Sequence, residues 1–171
     1  MNIENAKKIR MVILDVDGVM TNGLVGYQAE QRVKFFHSQD DHLIRMTIRE
    51  GLPVGIISGR ADPANTEHAD ELGMAPCYFG EIVKLNAFTR LLETYQLSAE
   101  QCLYMGDDLM DIPVMRLVGV AVCPADATPE AKEAAHWITN ANGGHGAVRE
   151  VLVALLKAQG LWQQATQRYL I

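Results

Sequence analysis

The fold of this chain is decided by the segment Met11–Thr21, which reads MVILDVDGVMT. Its first four residues are apolar and two of them are β-branched, a pattern typical of a buried strand in a parallel sheet. Asp15 and Asp17 follow where that strand should end, and Asp17-Gly18 is also a turn signal. Because open α/β sheets bind ligands beyond the carboxyl ends of their strands, we expect Asp15 to face a crevice there. The alternative is an aspartate-rich turn with no function beyond reversing the chain.

The composition is that of an ordinary globular protein. The chain has 171 residues, of which 49% are hydrophobic and 21% charged, enough for one domain with a sizeable core. Its net charge of −6 argues against nucleic acid or an anionic membrane as a partner, because both bind basic surfaces. Cys77, Cys102 and Cys123 lie in or beside apolar runs, which favours buried thiols in a reducing cytoplasm. We expect neither a secretory signal nor a membrane span.

Strand-like and helix-like segments alternate along the rest of the chain. We predict further strands at 54–58, 77–79, 102–105, 120–122 and 137–138, and a hairpin from two β-type runs at 23–27 and 32–36. Helices are predicted to begin near Asp40 or Asp41, at Pro63, at Lys84, at Leu109, after Thr128, at Ala147 and near Leu161. This order predicts a single doubly wound, Rossmann-like α/β domain over 1–171, with a mostly parallel sheet, a hairpin flap at about 23–36, a C-terminal tail at about 143–171 and no cap domain.

Polar residues that follow separate strands should meet at one rim of this sheet. They are Asp15 and Asp17, Ser58-Gly59-Arg60, Lys84 at a helix start, and Asp107, Asp108 and Asp111. Carboxylates crowded in one crevice repel one another, so we expect a hard divalent cation, Mg²⁺, with oxygen ligands. Ser58, the amides of the turn and Lys84 are the groups that would hold phosphate oxygens, which indicates phosphoryl transfer.

Two aspartates separated by one residue can divide the work of such a reaction. One ionised carboxylate can attack phosphorus to form an aspartyl-phosphate. The second can protonate the leaving sugar oxygen and then deprotonate water. On this interpretation Asp15, Asp17 and Lys84 are the catalytic residues.

In this order the motifs resemble those of the haloacid dehalogenase superfamily of phosphatases: DVDGVMT at 15–21, SGR at 58–60, Lys84 and GDDLMD at 106–111. The resemblance implies that Asp15 is the nucleophile and a metal ligand, and that Asp17 is the general acid/base whose carbonyl oxygen also binds Mg²⁺. The other implied roles are metal ligation by Asp107, phosphate binding by Ser58 and Lys84, and support by Asp108 and Asp111.

Within the superfamily the chain resembles the family of 3-deoxy-D-manno-octulosonate 8-phosphate phosphatases. The matching runs are 17–23, Phe35-Phe36-His37, 106–115 and GGHGAVREV at 143–151. This resemblance implies an acidic sugar phosphate as substrate, a place in lipopolysaccharide precursor synthesis, and a homotetramer whose hairpins assemble together. The substrate-binding residues are then expected to be Ser58, Gly59, Arg60, Lys84, Asn22, Asp40 and His145.

Three departures from that family leave the substrate open between eight-carbon and nine-carbon sugar acids. Asn22 stands where the family has Asp, Gln39-Asp40-Asp41 replaces a segment resembling Arg-Asp-Gly, and His145 often corresponds to Arg. Neither Gln39 nor His145 offers a permanently charged fork for a carboxylate. Arg60 remains available for that contact.

The spacing of the motifs leaves the crevice without a lid. About thirty residues separate Thr21 from the second strand, and about twenty-five separate Ser58 from Lys84, too few for a lid domain. We therefore expect another subunit to cover the crevice with its hairpin and tail, unless the hairpin is an ordinary flap.

Three other functions compete with the phosphatase interpretation. A signalling receiver domain stores its phosphoryl group, whereas Asp17 next to the nucleophile favours hydrolysis. A phosphomutase needs a lid, and an inactive binding protein would not retain the whole catalytic set.

Overall fold

The structure is a computed structural model that describes residues 3–28 and 31–170. Within these ranges the chain forms an α/β fold with helices on both faces of a parallel sheet. The strands are β1 (Met11–Leu14), β2 (Gly26–Gln28), β3 (Gln31–Val33), β4 (Val54–Ser58), β5 (Cys77–Phe79), β6 (Cys102–Met105), β7 (Val120–Cys123) and β8 (Trp137–Ile138). The sheet has the order β5-β4-β1-β6-β7-β8 with parallel neighbours, while β2 and β3 form a separate antiparallel hairpin.

The helices connect these strands as the alternation predicts. They are α1 (Ile3–Lys8), α2 (Ser38–Arg49), α3 (Pro63–Leu72), α4 (Lys84–Tyr95), α5 (Ile112–Met115), α6 (Pro129–Ala134), α7 (Ala147–Ala158) and α8 (Trp162–Thr166), with single 3-10 turns at Ala99–Gln101 and Gln167–Tyr169. The longest have twelve residues. None of the helices described is both long and apolar enough to cross a lipid bilayer.

Strand β1 lies in the middle of the sheet, between β4 and β6, and is buried along its whole length. Val12 and Leu14 point into one core, which includes residues of α2 and α7. Met11 and Ile13 point into the other core, which includes residues of α4 and α6. Burial on both faces explains the uninterrupted apolar run, because each such side chain contributes roughly 1.5–3 kcal/mol when fully buried.

The predicted strands of the large sheet are confirmed, but two helices begin elsewhere than expected. Helix α5 begins only at Ile112, because the Asp111 carboxylate accepts the amides of Asp107 and Asp108 and holds the preceding residues in a turn. Helix α2 begins at Ser38, before the two aspartates that were expected to start it. The short α1 was not predicted from the sequence.

The hairpin is shorter than its two β-type runs suggest. It pairs Gly26 with Val33 and Tyr27 with Arg32. The strands are shorter than the runs at 23–27 and 32–36, because the Asn22 carboxamide accepts the Leu24 amide at 3.1 Å and turns the chain before β2, while β3 ends at Val33. Part of the expected loop, 29–30, lies outside the described residues. The status of the hairpin as a flap on a single domain of 1–171 stays a prediction.

Candidate active site

The catalytic turn, which we define as residues 15–22, begins where β1 ends. The Asp15 amide still donates to Met105 O of β6 at 2.9 Å, so this residue remains in the sheet. The chain then reverses, and Thr21 donates both its amide (3.0 Å) and its hydroxyl (3.3 Å) to Val16 O. Gly18 has φ +86°, a conformation that side chains disfavour. A Cβ on Gly18 would also overlap the Asp107 carboxylate, so the turn requires glycine here.

Three carboxylates meet above the end of β1. Asp15, Asp107 and Asp111 each offer an oxygen within 4.8 Å of the others. Burial, together with the other two carboxylates, raises the pKa of Asp107 to about 8. Burial also raises the pKa of Asp15 to about 7, against the opposing effect of Lys84. The cluster therefore pays a large electrostatic penalty when it is fully ionised and without a cation.

The oxygens with no donor indicate where a cation fits. Asp15 Oδ1 and Asp107 Oδ1 are buried and meet no hydrogen-bond donor in the described part of the chain. Asp111 is different, because its two oxygens accept from Lys84 Nζ (2.6 Å), the Tyr104 hydroxyl (2.6 Å) and two backbone amides. Asp15 and Asp107 thus suit a hard cation such as Mg²⁺, whereas Asp111 is occupied in holding the site together.

Lys84 is the first residue of α4 and its ammonium group is completely buried. Nζ lies 2.8 Å from Asp15 Oδ2 and 2.6 Å from Asp111 Oδ1. Burial alone would lower the pKa of Lys84, but the two carboxylates outweigh it and raise the pKa. A fixed positive charge therefore stands beside the expected nucleophile.

The segment after β4 forms the neighbouring part of the rim. Ser58 is buried, and its Oγ accepts the Arg60 amide at 3.3 Å. Gly59 leaves little room, since a Cβ there would lie 2.9 Å from the Met110 methyl carbon. The half-exposed Arg60 places Nε 3.3 Å from Asp17 Oδ2. These residues reach the same side of the sheet as the catalytic turn.

Lys34, just after β3, is the residue that the sequence reasoning missed. Its side chain is fully buried, with Nζ 2.8 Å from Asp17 Oδ1 and 3.0 Å from Asp62 Oδ2. Arg32 reaches the same Asp62 at 2.5 Å. A signal was available, because alternation along an extended segment places Arg32 and Lys34 on one face. Asp62 directly precedes α3, and its carboxylate accepts both cations and makes no cap hydrogen bond to that helix.

The remaining candidates lie at the edge of the site or outside it. Asn22, Asp108 and His145 are exposed. Asp108 Oδ1 accepts the Leu109 amide at 2.7 Å, and the supporting role expected of Asp108 stays a prediction. The substrate contacts of Asn22 and His145 stay predictions.

Asp40 has a structural role instead of the expected contact with substrate. Its carboxylate is 2% exposed and accepts the amides of Arg149 (2.6 Å) and Gly146 (3.2 Å) at the beginning of α7. These bonds satisfy amides that lack partners within their own helix. With both oxygens occupied and the side chain enclosed, we remove Asp40 from the substrate-binding set.

Comparison with known proteins agrees with the motifs. The haloacid dehalogenase-like hydrolase family matches residues 78–152. A 3-deoxy-D-manno-octulosonate 8-phosphate phosphatase of Yersinia pestis is 44% identical over 166 residues, which cover 96% of this chain and 88% of that protein. The enzyme of the same name from Escherichia coli K12 is 42% identical, covering 95% of this chain and 87% of that protein.

Solved structures agree as well. The Moraxella catarrhalis phosphatase of this name, in complex with magnesium, phosphate and the sugar acid KDO, has a TM-score of 0.95 at 30% identity and covers 98% of this chain and 97% of that one. The Yersinia pestis structure has a TM-score of 0.92 at 42% identity, covering 94% and 88%. The resemblance inferred from the motifs is therefore confirmed. On the shared fold and the alignment of nearly its whole length with these relatives, the chain belongs to the 3-deoxy-D-manno-octulosonate 8-phosphate phosphatase family of haloacid dehalogenase-like hydrolases.

Proposed function

We propose that this protein is a Mg²⁺-dependent phosphatase that hydrolyses 3-deoxy-D-manno-octulosonate 8-phosphate to the sugar acid and inorganic phosphate. The observation that carries the proposal is the buried Asp15–Lys84 pair at the end of β1, with Asp17 two residues away. The two 3-deoxy-D-manno-octulosonate 8-phosphate phosphatases described above align with nearly the whole chain, and they support the choice of substrate.

The first half of the reaction transfers the phosphoryl group to the protein. An Asp15 carboxylate oxygen attacks phosphorus, the bond from phosphorus to the sugar oxygen breaks, and Asp17 gives its proton to that leaving oxygen. Lys84 and Ser58 hold phosphate oxygens during the transfer. In the second half Asp17 takes a proton from water, the water oxygen attacks phosphorus, and phosphate leaves Asp15 free again.

Asp15, Asp107 and the Asp17 carbonyl oxygen would hold the metal. Bound there, Mg²⁺ would neutralise the charge that the carboxylates and the phosphate bring together. Asp111 keeps Lys84 and the backbone of 107–108 in place through the hydrogen bonds described above.

Recognition of the sugar acid is assigned to the mouth of the site. Arg60 is half-exposed and its guanidinium can bind a carboxylate with two parallel hydrogen bonds. Gly59, Asn22 and His145 complete the proposed contacts.

The hairpin supports a further proposal, that the protein is a homotetramer. Leu24, Tyr27 and Phe35 are 73%, 74% and 78% exposed, so the hairpin region presents three large apolar side chains to solvent. A second copy of the chain that packs on these side chains would cover them and exclude water from the crevice.

The cellular setting is also proposed. Cys77, Cys102 and Cys123 are all free thiols, which suits the cytoplasm. The product would feed lipopolysaccharide precursor synthesis.

Phosphate release tests the function. Purified protein is assayed with Mg²⁺ on 3-deoxy-D-manno-octulosonate 8-phosphate, a nine-carbon sugar-acid phosphate and simple hexose phosphates, beside the isosteric variant Asp15→Asn. We expect preference for the octulosonate and no turnover by the variant. Preference for the nine-carbon compound would overturn the substrate, and unchanged turnover by Asp15→Asn would overturn the nucleophile.

The assembly is tested separately by light scattering coupled to size-exclusion chromatography. We expect a tetramer for the natural chain and smaller species for Phe35→Asp, whereas a monomer of the natural chain would overturn the tetramer.

A further inference from the structure

The loop 143–146, which precedes α7, packs against the catalytic turn through the backbone of its two consecutive glycines. A Cβ at Gly143 would lie well within 3.0 Å of the Gly18 carbonyl group. A Cβ at Gly144 would lie 2.5 Å from backbone atoms of Thr21 and Asn22, and the Gly144 amide donates to Val19 O at 3.0 Å. Two glycines in succession therefore let the loop touch the turn where any side chain would hold it away.

Gly18 connects this contact to the acidic cluster. Its carbonyl group faces Gly143, while its Cα faces the Asp107 carboxylate so closely that a Cβ would overlap Oδ2. A displacement of Gly18 would thus move the Asp17 carbonyl oxygen on one side and press on Asp107 on the other. Both groups are proposed metal ligands.

The loop is itself anchored at both ends. Asp126 Oδ1 accepts the Gly143 amide at 2.9 Å. At the other end Asp40 accepts the amides of Gly146 and Arg149, the contacts that removed it from the substrate-binding set. The loop is therefore held by carboxylates that are not part of the acidic cluster.

We infer that Gly143 is a positioning residue for catalysis, with Asp126 as its anchor: the loop fixes Gly18 from outside and thereby sets the distance between the Asp17 carbonyl oxygen and the Asp107 carboxylate. This inference rests on the proposed phosphatase function. Neither residue belongs to the proposed catalytic, metal-binding or substrate-binding set. Their effect reaches the reaction through the backbone of the turn, and a misplacement of about 1 Å at a reacting centre can cost roughly 10²-fold in rate.

The sharpest test compares Gly143→Ala with Gly119→Ala. Gly119 lies at the amino end of β7, and a Cβ there would overlap Glu100 O as badly as the one at Gly143 overlaps Gly18 O. The two variants therefore carry a similar steric penalty at opposite ends of the sheet. We measure kcat and KM for phosphate release per folded molecule, and the rise in Tm that Mg²⁺ alone produces.

For Gly143→Ala we expect kcat to fall roughly 10²-fold with KM within about threefold, and the Mg²⁺-dependent rise in Tm to shrink. For Gly119→Ala we expect a lower Tm, near-normal kcat and an unchanged response to Mg²⁺. Equal losses of kcat in both variants, or a normal Mg²⁺ response in Gly143→Ala, would overturn the inference.

If Gly143→Ala does not fold, two variants of Asp126 that add no bulk test the same inference. Asp126 is exposed, so Asp126→Ala removes the acceptor of the Gly143 amide without adding bulk, and Asp126→Asn keeps an oxygen in the same place. We expect Asp126→Ala to lower kcat by about fivefold to tenfold at constant KM, and Asp126→Asn to restore it. Normal kcat in Asp126→Ala contradicts the inference.

The proposed function can fail independently of this inference. If the natural chain releases no phosphate from any sugar phosphate tested, the function is wrong, while the Mg²⁺ response of the variants still reports on the position of the ligands.

Discussion

Two buried lysines approach the active site from regions of very different construction. Lys84 is the first residue of the twelve-residue helix α4, which packs on the sheet, and it contacts Asp15 and Asp111. Lys34 follows the three-residue strand β3. Both ammonium groups are completely enclosed by the protein.

Lys34, directly after the hairpin, contacts Asp17, the second of the two aspartates proposed to act in catalysis. Lys34 pairs with Asp17 and with Asp62 at the start of α3. The expected nucleophile is thus held from a rigid helix, and the expected acid/base from a small exposed hairpin. We therefore expect phosphoryl transfer to Asp15 to depend on α4 and the sheet, and proton transfer by Asp17 to depend on the hairpin.

Lys84→Met should have the largest effect. The variant leaves Asp15 without its cation and the phosphate without a fixed charge, so kcat should fall by about 10²–10³-fold. Loss of one partner of a buried ion pair should also lower the free energy of unfolding by about 3–5 kcal/mol. Steady-state kinetics and urea denaturation measure both, with the exposed Lys7→Met as control. A normal kcat would remove Lys84 from the catalytic set.

Lys34→Met should have a smaller effect on the same assay. Asp17 would keep its position in the turn and its contact with Arg60 but lose the buried ammonium group, so kcat should fall by about 10-fold to 100-fold, at or below the lower end of the roughly 10²–10⁴-fold that general acid–base catalysis contributes. Arg32→Met is the matched control, because Arg32 shares Asp62 but does not reach Asp17, and kcat there should stay within about twofold. Equal effects of the two variants would mean that the hairpin acts through Asp62 alone.

Binding of Mg²⁺ to the carboxylates near Lys84 should depend on pH. The pKa values of about 7 for Asp15 and about 8 for Asp107 mean that protons occupy these carboxylates at pH 6. Mg²⁺ must displace them there, which costs about 1.4 kcal/mol per pH unit for each proton. Thermal melts with Mg²⁺ or EDTA should therefore show greater stabilisation by Mg²⁺ at pH 8 than at pH 6. Equal stabilisation at both would contradict binding at these carboxylates.

Asp40→Ala should have the smallest effect and tests its structural assignment. Loss of a helix cap lowers the free energy of unfolding by about 1 kcal/mol, while KM should not change because no substrate contact is removed. Asp70→Ala, at an exposed position of α3, is the control for stability. A large rise in KM would return Asp40 to the substrate-binding set.

Four strands of the central sheet, β1, β4, β6 and β7, were predictable because each is a mainly apolar run that is buried along its whole length. β1 and β4 show the pattern without interruption, and their polar successors identify the rim. Asp15 and Lys84 could be found by motif and order alone, since backbone topology brings them together.

Lys34, Asp40 and Asp62 could not be assigned in the same way. A charged side chain is ordinarily solvated, but these three are buried and paired with residues that are distant in sequence. Asp40 illustrates the difficulty, since its partners at Gly146 and Arg149 are more than a hundred positions away. Local sequence carries no signal for the Asp40 contacts, whereas alternation along the extended segment places Lys34 on the same face as Arg32.

The central position of β1 has a consequence for hydrogen exchange. Its amides and carbonyls bond to β4 on one side and β6 on the other, so this strand should exchange only when the whole sheet unfolds. Within the part of the chain that the structure describes, the backbone of β2 and β3 is paired only inside the hairpin, and it should exchange first. Local opening of the hairpin would separate Lys34 from Asp17 while Asp15 stays in place. The expected acid/base would therefore lose its contact before the expected nucleophile is displaced.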